Sequence, residues 1–239
     1  MRRRQTISAE NTRIYAIGDI HGRLDLLERA IAAIRRDVAV HGGDAVTVTL
    51  GDYIDRGPDS CGVIERLSAN PFPTPYVALR GNHEAMLLDF LAEPEHGRHW
   101  RRQGGAETLR SYGVATWMRL IGRSDVEMAE RLRQAMPASH AVFMSSLRFS
   151  FSLGNYFLCH AGVRPGVPLE QQREMDLMWI RREFLTCTSS FGKIVVHGHT
   201  PVPVPEVMSN RINIDTGAVM TGRLTCIVLE PGGYRFLAV

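Results

Sequence analysis

Arg13-Ile14-Tyr15-Ala16-Ile17-Gly18-Asp19-Ile20-His21-Gly22 is the stretch whose reading decides the fold. An apolar, β-like run turns abruptly into a polar Gly-Asp-Ile-His-Gly cluster. Asp19 and His21 are two residues apart, so on an extended segment their side chains share one face. The same layout recurs along the chain. Val46–Leu50 precedes Gly51-Asp52-Tyr53-Ile54-Asp55-Arg56-Gly57, and Tyr76–Arg80 precedes Gly81-Asn82-His83-Glu84. Tyr156–Cys159 precedes His160-Ala161-Gly162, and Lys193–Val196 precedes His197-Gly198-His199-Thr200. Each cluster should lie in a loop beyond a strand's carboxyl end, where open α/β sheets bind ligands.

Taken singly, these clusters have ordinary explanations. Gly-Asp after a strand is commonly a turn, because Gly tolerates positive φ and Asp bonds its own backbone. Gly-Asn-His-Glu would serve as a helix N-terminus with Asn82 as the cap of a helix from Glu84 to Leu91. A lone His160 at a strand end would be a satisfied structural residue. Together they form a ligand set. Asp and His bind manganese, iron or zinc, and a carboxylate such as Asp52 can bridge two ions. Asn82, His160 and a histidine of the last cluster complete a second site. His197 and His199 are two apart, and periodicity does not choose between them. Two ions about 3.5–4 Å apart lower the pKa of a shared water and clamp the oxygens of an in-line displacement.

These motifs resemble those of the metallophosphoesterases, in particular the serine/threonine phosphoprotein phosphatases of the bacterial and bacteriophage lambda type. The pattern GDxHG, GDxxDRG, GNHE, HAG and GHT is met in order from Gly18 to Thr200, and the resemblance runs on to Gly217. The resemblance implies an α/β fold, a β-sandwich of mixed sheets flanked by helices. It implies Asp19, His21 and Asp52 at one metal, and Asp52, Asn82, His160 and His199 at the other. The ions would be two divalent cations, manganese first, with iron or zinc as alternatives. It also implies a catalytic pair of His83 with Asp55, and phosphate-binding arginines at Arg56 and, two residues after Trp179, at Arg181, with Arg182 its neighbour. The metal ligand of the GHT triplet is its histidine, which selects His199 and leaves His197 as a supporting or solvent-facing residue. Some eukaryotic relatives bring a Tyr from the loop after the last ligand strand. Here that piece reads Asp215-Thr216-Gly217-Ala218, with no Tyr.

The chemistry of the second and third clusters agrees. Asp55, three residues after Asp52, can accept a hydrogen bond from His83, fixing its tautomer and raising its pKa. His83 would then protonate a departing Ser or Thr oxygen. The plainer alternative pairs Asp55 with Arg56 or Arg80. Arg presents a planar fork that fits phosphate in two contacts.

The rest of the chain reads as alternating strand and helix. Leu24, Leu27, Ile31 and Ile34 mark one face of a helix over Leu24–Val38, and Pro58, Asp59 and Ser60 open another near Cys61–Ser68. Pro71–Pro75 is a stiff connector into the third strand. A βαβαβ start implies a parallel sheet with right-handed crossovers. From about 87 to 137 a helical insertion is expected, lying along one rim of the site, with Gly104-Gly105 marking a close approach or a break. The β-rich pieces Leu147–Leu153, Asn155–His160, Lys193–Gly198, Arg211–Gly217, Leu224–Glu230 and Tyr234–Ala238 follow. With no repeat and no low-complexity linker, residues 1–239 read as a single domain.

Composition narrows the class. Of 239 residues, 44% are hydrophobic and 22% charged, as in ordinary globular proteins. A net charge of +3 is too small to argue for nucleic acid but suits an anionic substrate. Cys61, Cys159, Cys187 and Cys226 show no CxxC spacing and read as reduced thiols, without a disulfide framework or a thiolate metal site. They also lack the phosphate-cradling loop of a cysteine phosphatase. Arg2–Arg4 precede a polar stretch rather than an apolar one, and no apolar run is long enough to span a membrane, so a cytoplasmic enzyme is expected. His41, His96, His99 and His140 fall outside the clusters and read as surface or packing residues.

The expected activity is hydrolysis of phosphoserine and phosphothreonine, and also phosphotyrosine, in phosphoproteins or phosphopeptides, by in-line attack of a metal-bridging hydroxide. Hydrolysis of diadenosine tetraphosphate or a related nucleotide is the runner-up. A metal-binding regulator without turnover is the third reading, opposed by the intact Asp55, His83 and Arg56.

Overall fold

The computed structural model describes residues 11–114 and 124–239. Arg2–Arg4 and part of the expected insertion lie outside the described residues. The described chain forms two five-stranded mixed sheets with helices on their outer faces.

The first sheet holds β1 (Arg13–Ile17), β2 (Ala45–Thr49) and β3 (Tyr76–Ala78) in parallel, joined by α1 (Leu24–His41) and α2 (Ser60–Ser68). After β3 comes α3 (Asn82–Ala92), which begins at the ligand cluster itself. The cap is Gly81, not Asn82; Asn82 is already helical. Beyond α3 the chain makes a 3-10 turn at Pro94–His96, then α4 (Gly97–Trp100), a wide turn over Arg101–Gly105 and α5 (Ala106–Ser111). Next come α6 (Asp125–Ala135) and α7 (Ala138–Ser146). The helical run therefore continues past Pro137. That proline is the N-cap of α7 with φ −57°, a torsion already suited to a helix start.

The second sheet takes β4 (Ser150–Leu153), β5 (Tyr156–Cys159), β6 (Ile194–His197), β7 (Glu206–Val207) and β8 (Arg211–Asn213), in the order β4-β5-β6-β8-β7. Strands β5, β6 and β8 run parallel. The short helices α8 (Glu174–Trp179) and α9 (Arg182–Leu185) lie between β5 and β6 in sequence, and α10 (Ala218–Thr221) follows β8. The chain then returns to the first sheet as β9 (Cys226–Glu230) and β10 (Gly233–Leu237), with β9 antiparallel to β1 and β10.

Period-two alternation builds the layers. Ile14, Ala16, Val46 and Val48 of the first sheet pack against Tyr156, Leu158, Val196 and Ile212 of the second, so the two sheets share an apolar interior. Tyr15 and Ile17 turn outward onto Leu27, Ile31, Ile34, Val63 and Ile64 of α1 and α2. Phe157 and Val195 face Leu177, Ile180 and Phe184 on the opposite side. The threonines of the Val-Thr-Val-Thr run are buried on the helical side and find partners there: Thr47 meets Thr74 at 2.7 Å and Thr49 meets Tyr53 at 2.8 Å. The sandwich aligns the carboxyl ends of β1, β2, β3, β5 and β6 along one edge. Among the described residues no helix is long and apolar enough to cross a membrane.

Candidate active site

The loops at that edge are held in costly backbone shapes. Six non-glycine residues among those described have positive φ, and five are motif residues: His21, Asp52, Asp55, Arg56 and His199. Such strain persists only where surrounding contacts over-determine it, and it gathers at functional sites. Gly51 shows how tightly the loops meet. Its φ is 107°, and a Cβ there would come within 2.5 Å of the Gly81 nitrogen.

Four potential ligand atoms converge from both sheets. The His160 Nε2 lies 3.0 Å from Asn82 Oδ1, 3.2 Å from His199 Nδ1 and 3.3 Å from Asp52 Oδ1. His199 Nδ1 is 2.8 Å from Asn82 Oδ1. The His160 Nδ1 sits 3.0 Å from the Leu50 carbonyl, which can only accept, so that nitrogen carries a proton and Nε2 offers a lone pair when the ring is neutral. On the other side of Asp52, His21 Nε2 is 3.5 Å from Asp52 Oδ2. The His21 Nδ1 donates to the Ile54 carbonyl at 2.8 Å, which fixes the ring in the same manner. His21, Asp52 and His83 form one buried trio and Asp52, His160 and His199 another, each with its ligand atoms within 4.8 Å of one another, and Asp52 is common to both.

Asp19 belongs to neither trio. Its Oδ2 accepts the His199 backbone N–H at 3.0 Å, and its Oδ1 is buried without a hydrogen-bond partner. Burial and the nearby Asp215 push the Asp19 carboxyl well above its usual range. Burial alone would lower His160, but Asp52, Asp19 and Glu84 outweigh it and raise His160 to about 9. The cluster is a buried concentration of negative charge that favours a cation.

The expected pair is formed. His83 Nδ1 donates to Asp55 Oδ2 at 2.6 Å, and both residues are buried. The opposite ring nitrogen, Nε2, lies 3.8 Å from Asp52 Oδ2, on the side of the ligand cluster. Burial tends to lower His83, yet Asp52 and Asp55 raise it above its ordinary value. Arg56 donates to His21 Nε2 at 2.9 Å, within the same pocket. Arg181 is exposed and donates to Thr200 Oγ1 at 3.1 Å, beside His199, whereas Arg182 opens α9. An open groove of about 460 Å³ runs past Trp179, Ile180, Arg181 and Arg182.

Residues 12–223 match the calcineurin-like phosphoesterase family. The chain belongs to the calcineurin-like phosphoesterases. Serine/threonine-protein phosphatase 1 of Salmonella typhimurium is 30% identical over 92% of this chain and 94% of its own length. The bis(5'-nucleosyl)-tetraphosphatase PrpE (asymmetrical) of Anoxybacillus flavithermus is 27% identical over 88% of each. A solved structure of a proposed diadenosine tetraphosphatase, 23% identical, superimposes with a TM-score of 0.64 over 95% of this chain and 97% of its own.

This phosphoesterase therefore shares its family's dependence on divalent metal, and its residues fit such ions. The donor set is carboxylate, amide oxygen and imidazole, with no thiolate. The orphaned Asp19 Oδ1 and the close gathering of His160, Asn82, His199 and Asp52 suit a positive centre.

Sequence reasoning overlooked several supporting residues. Glu84 is the foremost. Its carboxylate accepts four backbone N–H groups: those of Asp52 at 2.9 Å, Tyr53 at 2.7 Å, Ile54 at 3.3 Å and Gly81 at 2.9 Å. It ties the second cluster to the third. The signal available was its position three residues after the Gly81 cap, where a Glu reaches back to the helix start. Asp55 also accepts from Trp100 Nε1 at 2.8 Å and from the Thr108 hydroxyl at 2.6 Å, so the plainer pairing with Arg56 or Arg80 is not the one formed. His197 is fully buried against Phe184 rather than solvent-facing, because it ends the inner strand β6 under α9. His140 packs in the interior between Tyr112 and Glu65, while His41 and His99 are exposed.

Proposed function

We propose that this phosphoesterase removes phosphate from phosphoserine and phosphothreonine in proteins, with phosphotyrosine also accepted. The observation that carries this reading is the short His83–Asp55 bond beside the ligand cluster. An alkoxide is a poor leaving group and needs a proton as it departs. A nucleotide phosphate leaves readily without one. A held, Asp-paired imidazole is therefore most useful toward an alkyl ester.

In this reading Asp19, His21 and Asp52 hold one divalent ion, and Asp52, Asn82, His160 and His199 the second, with manganese preferred. When bound, such ions acidify water and neutralise the charge of the phosphoryl oxygens. Arg56 and Arg181 grip the non-bridging oxygens through their guanidinium forks. The Asp55 carboxylate orients His83 through Nδ1, so that Nε2 delivers the proton to the leaving oxygen. Glu84 keeps the Asp52–Ile54 peptides in register while this happens.

The tetraphosphatase reading is favoured by the name of the Anoxybacillus relative and by further relatives of similar identity that share that name. The deciding measurement is kcat/KM for a phosphoserine peptide and for diadenosine tetraphosphate at one manganese concentration. Preference for the peptide is expected. Preference for the dinucleotide would sink the protein-phosphatase reading and leave the metal ligands untouched.

A further inference from the structure

The segment Trp100–Thr108 wraps Asp55 and Arg56 from behind. Trp100 stacks on Phe90 with ring centroids 4.7 Å apart, which alone would make it an ordinary core aromatic. Its indole N–H, however, is directed at Asp55 Oδ2, the same oxygen that accepts from His83. The Thr108 hydroxyl donates to the other oxygen, Oδ1, and accepts the Asp55 backbone N–H at 3.0 Å. The Ser60 hydroxyl lies 3.0 Å from Thr108 Oγ1 and accepts the same Asp55 N–H at 3.0 Å. The Gly104 carbonyl accepts the Arg56 N–H at 3.2 Å. Gly104 has φ 115°, and a Cβ there would meet the Arg56 nitrogen at 2.6 Å; a Cβ on Gly105 would meet the Trp100 ring at 2.4 Å. Both glycines permit a close approach that larger residues would block.

We infer that Trp100 and Thr108 are positioning residues, which fix the Asp55 carboxylate in plane and direction so that it holds the His83 ring toward the leaving group. The inference rests on the reading of His83 as proton donor. A carboxylate with a single partner can swing about its Cβ–Cγ bond. Three donors on its two oxygens remove that freedom, and the imidazole it holds is fixed with it. Small misplacements of reacting groups are expensive in rate. The same wrap fixes the backbone of Arg56, so one segment sets both the proton donor and a phosphate grip.

The test uses the full chain with manganese, a phosphoserine peptide, 4-nitrophenyl phosphate, and the ¹H–¹⁵N spectrum of the tryptophan indoles. Trp100→Phe keeps an aromatic ring on Phe90 and removes the N–H. Thr108→Val removes the hydroxyl at nearly constant shape, and Thr108→Ser restores it. On the peptide, Trp100→Phe and Thr108→Val should each lower kcat by about tenfold to a hundredfold with KM unchanged. The loss on 4-nitrophenyl phosphate should be smaller, and Thr108→Ser should recover most of the rate. Asp55→Asn should move the Trp100 indole resonance. Equal losses on both substrates, no recovery with serine, or an unmoved indole resonance would overturn the inference. Should Trp100→Phe not fold, the Val and Ser variants of Thr108 decide it. A wild-type protein inactive on the peptide would defeat the functional reading instead, while the indole resonance would still decide the contact.

Discussion

In the proposed reaction His83 is the residue on which the chemistry turns. Its ring is held through Nδ1 by Asp55, while Nε2 lies 3.8 Å from Asp52 Oδ2 and the ring of His21 packs T-shaped against it with centroids 4.7 Å apart. The neighbours Asp52 and Asp55 outweigh its burial and favour the charged form, as a proton donor requires. His83→Asn should therefore reduce turnover of phosphoserine peptides by roughly 10²–10⁴-fold, the range for losing a general acid. Metal content by elemental analysis should stay at the wild-type level. With 4-nitrophenyl phosphate, whose leaving group needs little protonation, the deficit should shrink; equal deficits would count against proton donation.

At the scale of elements, the N-terminus of α3 does the joining. Asn82 and His83 occupy its first turn, and Glu84 reaches back from that turn to bind the peptides of the neighbouring loop. Both Glu84 oxygens accept two N–H groups each, so a carboxamide cannot replace the carboxylate without setting its NH₂ against backbone donors. Glu84→Gln should cost about 1–3 kcal/mol for each buried group left without an acceptor. Chemical denaturation would measure it, and an unchanged midpoint would show that the four bonds are not stabilising. The strands and the motif loops were legible in the sequence because apolar alternation and ligand chemistry are local signals. The role of Glu84 was half legible: its spacing from Gly81 marks a helix start, but its other partners lie some 30 residues away. Trp100 and Thr108 were less so. A tryptophan and a threonine in a helical stretch look like core, and only the folded chain brings them to Asp55 across 45 and 53 residues. The helical run outlasts the expected bound near 137 because Pro137 caps the start of a further helix.

For the whole molecule, what matters is that the candidate ligand set is divided between the two sheets. Asp19, His21, Asp52 and Asn82 follow β1, β2 and β3 of the first, whereas His160 and His199 follow β5 and β6 of the second. The parallel start of the first sheet could be read from its βαβαβ pattern, but not its completion by β9, whose partner strand is more than 200 residues earlier, as in the Ile14–Leu229 pair. Apolar contact between the sheets holds the layers together away from the edge, but at the edge itself a carboxylate, an amide oxygen and two imidazoles crowd together. A divalent cation bound there would pull the two sheets together as well as enable the reaction. Binding to the folded state alone stabilises by about 2.7 kcal/mol per site at a hundredfold excess over Kd. For a chain of this length that corresponds to a rise in Tm of roughly 5–10 °C. Manganese added to metal-stripped protein should produce such a rise together with turnover, and a chelator should reverse both. His199→Ala removes a ligand from the second sheet only, and should shrink the manganese-induced rise. Full turnover by stripped protein, or a rise in Tm indifferent to His199, would mean that the ion is not held between the sheets.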